Sequence, residues 1–487
     1  MNSLHHLAQV VNGFSNVRIL CVGDIMIDRY IYGHVDRVSA EAPIPILSYE
    51  RERVMLGAVG NVARNVVSLG GQALITAIVG DDDAGRDAVR LVAQQSGLEA
   101  DLVTVQGRRT SVKTRYIAQG QQLLRADRED TGPLDERSVS RLITAIQSEI
   151  NETRILVLSD YAKGCLGDSV LRSAIDAAQK ASVPIIVDPK SRNFSRYSGV
   201  TLLKPNIKEL EDATGLPCGD DNSIETAGRK LLDDLDAQAI LVTRSERGMT
   251  LVQKAQPVLH IRDRVSEVYD VSGAGDTAMA VLALALGSGA GFADAAMLAN
   301  KACSLVVGKV GTATVSAGEL THALHAAEID SAQLKIQTMD ELAETVSQWR
   351  SAGARIGFAN GCFDLIHAGH VSLLAQAKDT CDKLIVGLNT DASVRRIKSD
   401  DRPINNEMAR AVVIASFGDV DTVVLFDEDT PVKLIEAIRP DVLIKGEDYT
   451  EEEVVGGEFV KSYGGDVFLA KLMPETSTSK TIGKIRS

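Results

Sequence analysis

The sequence predicts an α/β protein of two layered domains in tandem, with two β-rich interruptions in the first. Three observations lead there. The chain has 487 residues, too many for one core when a domain takes about 100–200. Short apolar runs rich in β-formers alternate with amphipathic helical stretches, the order of βα units in a layered sheet. The alternation lapses once and then restarts.

Arg18 to Val22, Ile155 to Leu158, Pro184 to Val187 and Ile240 to Val242 read as buried parallel strands, apolar along their whole length. Ser138 to Ile150 and Ser169 to Ala181 carry helical spacing between some of them. Tyr30 to Val54 and Val103 to Leu124 break the rhythm, being rich in β-formers without helical periodicity. They fit a small separate sheet over a site, or peripheral hairpins. The pattern lapses over the polar, helix-prone stretch Ser316 to Gln348 and resumes with strands at Arg355 to Ala359 and Lys383 to Leu388. The expected division is a first domain at 1–330, a linker at 331–353 and a second domain at 354–487. No repeat relates the halves, so the chain reads as a fusion and not a duplication.

Composition narrows the class. With 45% hydrophobic and 24% charged residues and 12 prolines, the chain is globular in character. No apolar run approaches the ~20 residues of a membrane span, and Met1 to Val17 lacks the order of a signal peptide. The six cysteines are scattered without a CxxC pair, which suits reduced thiols and a cytoplasmic location. A net charge of −14 argues against general nucleic-acid binding. Any phosphate site must therefore be locally positive, built from backbone N–H groups, a few cations and Mg²⁺.

Asp270-Val-Ser-Gly-Ala-Gly-Asp-Thr277 precedes the small apolar run Ala278 to Leu286. Glycines at a helix start expose N–H groups that a phosphate can occupy, and Asp276 in the same turn can accept the proton of an attacking hydroxyl. The same residues also suit a glycine-rich helix start with a favourable acidic residue. From Arg18 to about Val315 the residues resemble the ribokinase (PfkB) family of sugar kinases. In Gly23-Asp-Ile-Met-Ile-Asp28, Asp28 matches the family's sugar-binding aspartate. In Gly57-Ala-Val-Gly-Asn61, Asn61 matches its sugar-binding asparagine, with Ala58 standing where the family has a second glycine. Asn206-Ile207-Lys208-Glu209 matches the motif that organises Mg²⁺ and the nucleotide phosphates, making Glu209 the candidate metal residue. Thr243 to Gly248 resembles the loop lining the ATP site, and Asp276 falls on the catalytic base. The resemblance implies a ribokinase-like fold, ATP as co-substrate, and Gly273 and Gly275 amides on the transferred phosphoryl group.

In the second half, Asn360-Gly-Cys-Phe-Asp-Leu-Ile-His-Ala-Gly-His370 follows a strand. His367 and His370 at a helix start can donate to nucleotide phosphates; a zinc site lacks a nearby third ligand. These residues resemble the cytidylyltransferase-like superfamily, matched at Gly361, Phe363, Asp364, His367, Gly369 and His370. The resemblance implies a Rossmann-like HxGH nucleotidyltransferase domain. Val386 to Asp391, with Asn389 and Asp391, resembles its nucleotide-contacting loop, Lys445 to Tyr449 its Lys-Gly segment, and Ser477 and Thr478 its C-terminal phosphate contact. Many relatives carry an arginine just before that last motif; here Pro474-Glu-Thr476 stands instead. Lys480, Lys398 and Arg402 are the candidate clamps for the triphosphate.

The two halves in this order resemble a family of bifunctional heptose-activating enzymes. That resemblance implies phosphorylation of heptose 7-phosphate at C1, then adenylyl transfer from ATP to heptose 1-phosphate, giving ADP-heptose for the lipopolysaccharide core. The competing expectation is another sugar or polyol kinase fused to a cytidylyltransferase. Lys113, Arg115, Arg125 and Lys163 either bind the substrate's own phosphate or pair with carboxylates. The expected partners are sugar phosphates, ATP and a second copy of the chain, dimerised through the lid, with no membrane.

Overall fold

Arg18–Gly23, the first apolar run of the sequence, is a strand within a nine-stranded sheet of the described residues. The computed structural model describes residues 4–471 apart from 192, 263–267 and 310. By its internal contacts the chain divides into two units, Met1–Leu324 and His325–Ser487. Across the first sheet the strands run Leu259–Ile261, Met249–Gln253, Ala239–Thr243, Leu202–Leu203, Ile185–Asp188, Ile155–Ser159, Arg18–Gly23, Gln72–Gly80 and Leu98–Val105. All pair in parallel except the first two, which are antiparallel additions at one edge. Helices Val59–Ser68, Ala274–Gly287 and Phe292–Val306 bury their apolar side chains in the core on one face; Glu136–Glu149, Asp168–Lys180 and Asp221–Leu235 do so on the other. A sheet covered on both sides explains why its strands read as unbroken apolar runs.

The C-terminal ends of the parallel strands collect polar residues that the interior excludes. Asp24, Asp160, Asp188, Lys204 and Asn206 all follow or end such strands, at the edge where ligands bind in sheets of this kind.

A four-stranded sheet makes the lid, ordered Pro45–Ala58, Ile25–Val38, Ser111–Ala118 and Gln121–Arg128. Ile25–Val38 is 14 residues long, buried at its first residues and exposed at its last. Its pairing with Pro45–Ala58 shifts register between Tyr32 and Gly33 and between Val35 and Arg37. The separate sheet was expected from the two irregular regions, but Val103 belongs to the main sheet, and the lid strand there begins only at Ser111.

Among the described residues the second unit has six parallel strands, ordered Ile336–Gln337, Thr422–Phe426, Lys383–Asn389, Ile356–Gly361, Val442–Gly446 and Asp466–Ala470. Ala368–Lys378 and Glu407–Ala415 pack on one face, Met339–Ser351 and Val432–Ile438 on the other. Chain direction across the sheet reverses at Ile356–Gly361, the switch point where doubly wound folds bind nucleotides. The expected linker 331–353 is corrected here. Its residues form the edge strand Ile336–Gln337 and the helix Met339–Ser351, and Ala332, Leu342 and Val346 are buried in this unit's core. Among the described residues, no helix is long and apolar enough to cross a membrane.

Candidate active sites

In the first unit the helix Ala274–Gly287 starts at Gly273, whose φ of 86° favours glycine. A Cβ there would also come within 2.8 Å of Asn61 Nδ2. Asp276 follows in the first turn and is buried. Asn61 Nδ2 donates to its Oδ2 and the Tyr161 hydroxyl to its Oδ1, each at 2.8 Å. Burial, reinforced by the Asp188 carboxylate, pushes the Asp276 pKa up to about 7; the two donors and Lys204 pull the other way. A carboxyl group so poised exchanges protons near neutral pH. Lys204 Nζ lies 3.6 Å from where a Cβ on Gly275 would stand and 3.0 Å from Asp188 Oδ1.

Asp28 is buried on the lid strand, and Arg115 of the neighbouring lid strand donates to its Oδ1. A Cβ on Gly57 would meet Asp28 Oδ2 at 2.4 Å, so glycine there makes room for the carboxylate. Ala58 takes a glycine-like φ of 52° at the start of Val59–Ser68. Asn61, expected on the sugar, is fully buried, with Nδ2 donating to Asp276 and Oδ1 accepting from Arg64 at 3.3 Å. The structure thus links Asn61 directly to Asp276, with Tyr161, Lys204 and Asp188 as partners that sequence reasoning missed.

Asn206 and Glu209 form a reciprocal cap on Ile207–Thr214. Asn206 Oδ1 accepts from the Glu209 N–H at 2.9 Å, and Glu209 accepts from the Asn206 N–H at 3.0 Å. The other Glu209 oxygen meets Lys190 at 2.9 Å. The Ile207 side chain packs on the core and Lys208 pairs with Asp212 at 2.9 Å, so what these two offer at the helix start is backbone N–H. Thr243 bridges to Asn206, and Gly248, at φ 80°, sits where a Cβ would lie 2.0 Å from the Ile261 carbonyl oxygen. Of the four candidate phosphate cations, Arg115, Arg125 and Lys163 pair with Asp28, Asp127 and Glu129. Lys113 instead stands 5.6 Å above the Tyr161 ring.

In the second unit His367 is the residue before the helix Ala368–Lys378, and His370 lies in its first turn. Their rings stack at 3.9 Å, and Phe363 covers His370 at 5.1 Å. Burial lowers the His367 pKa; burial, then His367 itself, lowers that of His370 to about 4. Both rings are neutral at pH 7. Among the described residues, Nδ1 of His367 and Oδ1 of Asn360 are buried without hydrogen-bond partners, which suits a site finished by a ligand. A Cβ on Gly361 would press on the Phe363 ring at 3.1 Å.

Several expected nucleotide contacts here are spent within the protein. Asp364 is buried and accepts from the N–H groups of Ile404 at 2.7 Å and Asn405 at 3.2 Å, and from Arg402. It anchors a loop, and Arg402 is not a free clamp. Asn389 donates to Ser393 Oγ at 3.0 Å. Asp391 accepts from Arg410 at 2.7 Å, and the same buried guanidinium donates to the carbonyls of Cys362 at 2.6 Å and Asn405 at 3.0 Å. Arg410, which no motif singled out, therefore joins the Gly361–Asp364 loop to the Asn389–Asp391 loop. Lys445 donates to the Asn360 carbonyl at 3.2 Å, and burial lowers its pKa. Ser477, Thr478 and Lys480 lie outside the described residues.

Comparison with known proteins gives the same division. Residues 16–317 match the pfkB family carbohydrate kinases, and residues 358–479 match the cytidylyltransferase-like family. The first unit resembles a ribokinase of Arabidopsis thaliana complexed with ribose and ATP, with a TM-score of 0.51 and 19% identity over 63% of this chain and 98% of that one. It also resembles phosphofructokinase-2 of Escherichia coli, with a TM-score of 0.55 and 20% identity over 64% of this chain and 98% of that one. Both likenesses concern the fold. The bifunctional protein HldE of Caulobacter sp. strain K31 is 51% identical over 99% of this chain and 98% of its own. HldE of Rhodospirillum rubrum is 50% identical over 98% and 97%. With both family models matched in the same order and half the residues shared end to end, the chain belongs to the bifunctional HldE family, a carbohydrate kinase and a nucleotidyltransferase in one polypeptide.

Proposed function

We propose that Asp276 is the base of a kinase acting at C1 of heptose 7-phosphate, and that His367 and His370 stabilise adenylyl transfer from ATP to heptose 1-phosphate. The observation that carries this reading is the pairing of two phosphate-suited helix starts, one with a poised carboxylate and one with neutral imidazoles. In the kinase, Asp28 positions the sugar and Asp276 takes the proton of the anomeric hydroxyl as it attacks the γ-phosphate. The N–H groups of the Gly273–Gly275 turn and the Lys204 ammonium offset the charge that builds on the phosphoryl oxygens. Asn206, Thr243 and Gly248 shape the nucleotide loop. Mg²⁺ takes one or two carboxylates plus phosphate oxygens and needs no protein cage. Glu209, whose two oxygens already accept from the Asn206 N–H and from Lys190, would serve it through a remaining acceptor site or a bound water, and the ion would neutralise the phosphates.

In the second site the attacking group is an anionic sugar phosphate, so no general base is required. His367 and His370 bind the α-phosphate region, Lys445 and Lys398 add positive charge, and pyrophosphate leaves in line. Full-length identity to HldE proteins disfavours the alternative, an unrelated sugar kinase fused to a cytidylyltransferase. The enzyme acts in the cytoplasm, where ATP is supplied. A dimer through the lid is supported by Val38, Ile44, Tyr49, Leu123 and Leu124, large apolar side chains exposed on that sheet and its turns.

The kinase product is a 1,7-bisphosphate while the second site takes a 1-monophosphate, so a separate phosphatase acts between them. The test is mass spectrometry of products from heptose 7-phosphate, ATP and Mg²⁺. Only bisphosphate should accumulate until a C7 phosphatase is added, and ADP-heptose should then appear. Activated sugar without a phosphatase, or a product formed from CTP in preference to ATP, overturns the reading.

A further inference from the structure

Two buried carboxylates at the ends of neighbouring strands are spent on one short loop. Asp24 Oδ2 accepts from the N–H groups of Tyr161 and Lys163, each at 2.9 Å, and its Oδ1 from that of Cys165 at 3.0 Å. Asp160 accepts from the Ala162 N–H at 2.8 Å and from the Tyr197 hydroxyl at 2.6 Å. Arg108 closes the loop from outside, donating to the Lys163 carbonyl at 2.6 Å. Burying two carboxylates is costly unless their hydrogen bonds are made, and here the bonds fix backbone. What that backbone presents to Asp276 is the Tyr161 hydroxyl, 2.8 Å from its Oδ1.

We propose that Tyr161 is a positioning residue for phosphoryl transfer, held by the Asp24-anchored loop so that its hydroxyl and the Asn61 amide fix the two oxygens of Asp276. This rests on Asp276 being the kinase base. Each carboxylate oxygen has two acceptor sites, so one donor apiece sets the plane of the group and leaves room for the substrate hydroxyl. Burial and the carboxylates Asp276, Asp188 and Asp28 push the Tyr161 pKa well above that of free tyrosine, so it remains a donor throughout the working range. The other charged groups facing Asp276 are Lys204 and Asp188 from the strand ends and Arg64 from the helix Val59–Ser68. All three stay in place when Tyr161 is changed. The Tyr161 bond favours the ionised base, and its loss must raise the pH at which the base becomes active.

The experiment is the pH dependence of kinase kcat for the full-length wild type, Tyr161→Phe, and a variant with fluorotyrosine at this position alone. A hydrogen bond to a charged group, once lost, moves the acid limb up by about one to two pH units. Tyr161→Phe should therefore lose roughly tenfold in kcat at pH 7 and recover at pH 9, with the KM for ATP and the nucleotidyl transfer rate unchanged. Fluorotyrosine keeps the shape and donates more strongly, so its limb should move down; it decides the matter if Phe lowers the melting temperature of the kinase unit. A limb that stays put in a folded variant, with or without a uniform loss of rate, overturns the positioning role. A wild type without kinase activity, or an Asp276→Asn variant that keeps it, would instead overturn the reading on which the proposal rests.

Discussion

Replacing Asp276 with asparagine should stop sugar phosphorylation while making the first unit more stable. The group keeps its shape, and the amide can still offer a carbonyl oxygen to Asn61 Nδ2 and an N–H to Tyr161 Oη, the partners its carboxylate has now. Removal of a general base costs about 10²–10⁴ in kcat. Stability moves the other way. The pKa of Asp276 rises from 3.8 to about 7 on folding, chiefly through burial, so the folded state holds the proton more tightly than the unfolded state. Its contribution is fully present below pH 3.8 and is lost as pH rises through 7. The whole shift amounts to about 4 kcal/mol at pH 8. Asparagine carries no charge to bury and escapes that loss, which corresponds to a rise of several degrees in melting temperature at pH 8 and a smaller one at pH 5. Kinase turnover and thermal melting at the two pH values check both halves. Near-normal phosphorylation removes Asp276 from the chemistry, and a variant that melts lower at pH 8 refutes the account of its burial.

Other expectations concern both units. His367→Ala or His370→Ala should lose about 10²–10³ in nucleotidyl transfer with kinase rates intact; a folded variant losing both activities contradicts the division of labour. Because burial holds both imidazoles neutral, an arriving polyphosphate must raise their pKa values, so nucleotide should bind with proton uptake and more tightly at pH 6 than at pH 8. Calorimetry in buffers of different ionisation heat measures that uptake directly. Arg410→Leu leaves Asp391 and two loop carbonyls without their donor and should destabilise the second unit by about 3 kcal/mol or more, read by denaturant unfolding. Gly248→Ala puts a Cβ 2.0 Å from the Ile261 carbonyl oxygen and should raise the kinase KM for ATP severalfold, leaving adenylyl transfer untouched.

Much of the fold was legible because its cause is local. Strands buried on both faces read as apolar runs, and Arg18–Gly23, Ile155–Ser159 and Lys383–Asn389 stand where those runs predict. Glycine positions were legible too, since Gly273 and Gly57 are fixed by backbone conformation and by the room a neighbour needs. The stretch 331–353 was misread as a linker because a helix with one apolar stripe and a two-residue edge strand leave little hydrophobic signal. In the candidate sites, motifs singled out Asp276, His367 and His370 but not the groups packed around them. Tyr161 reaches Asp276 across 115 positions and Asp24 reaches the Cys165 N–H across 141; such pairs exist only once the strand ends are side by side. Arg410 is invisible for the same reason, being one buried guanidinium tying loops from two strands. Asp364 was read as a ligand because a motif marks a residue without telling whether it touches substrate or holds the loop that does.

The strand Ile25–Val38 has a mechanical consequence. A strand hydrogen-bonded on both sides is a stiff beam, and this one is paired so from Met26 to Gly33 and on one side only beyond; it is clamped at its root, where Ile25, Met26 and Ile27 are buried, and cantilevered at its tip, where Val38 is exposed. Asp28 sits in the clamped part. The register shifts at Tyr32/Gly33 and Val35/Arg37 are the places where the beam is weakest, because the ladder is interrupted there. Bending of the lid is therefore taken up beyond Tyr32, and the outer sheet can move while the Asp28 carboxylate near its root stays still.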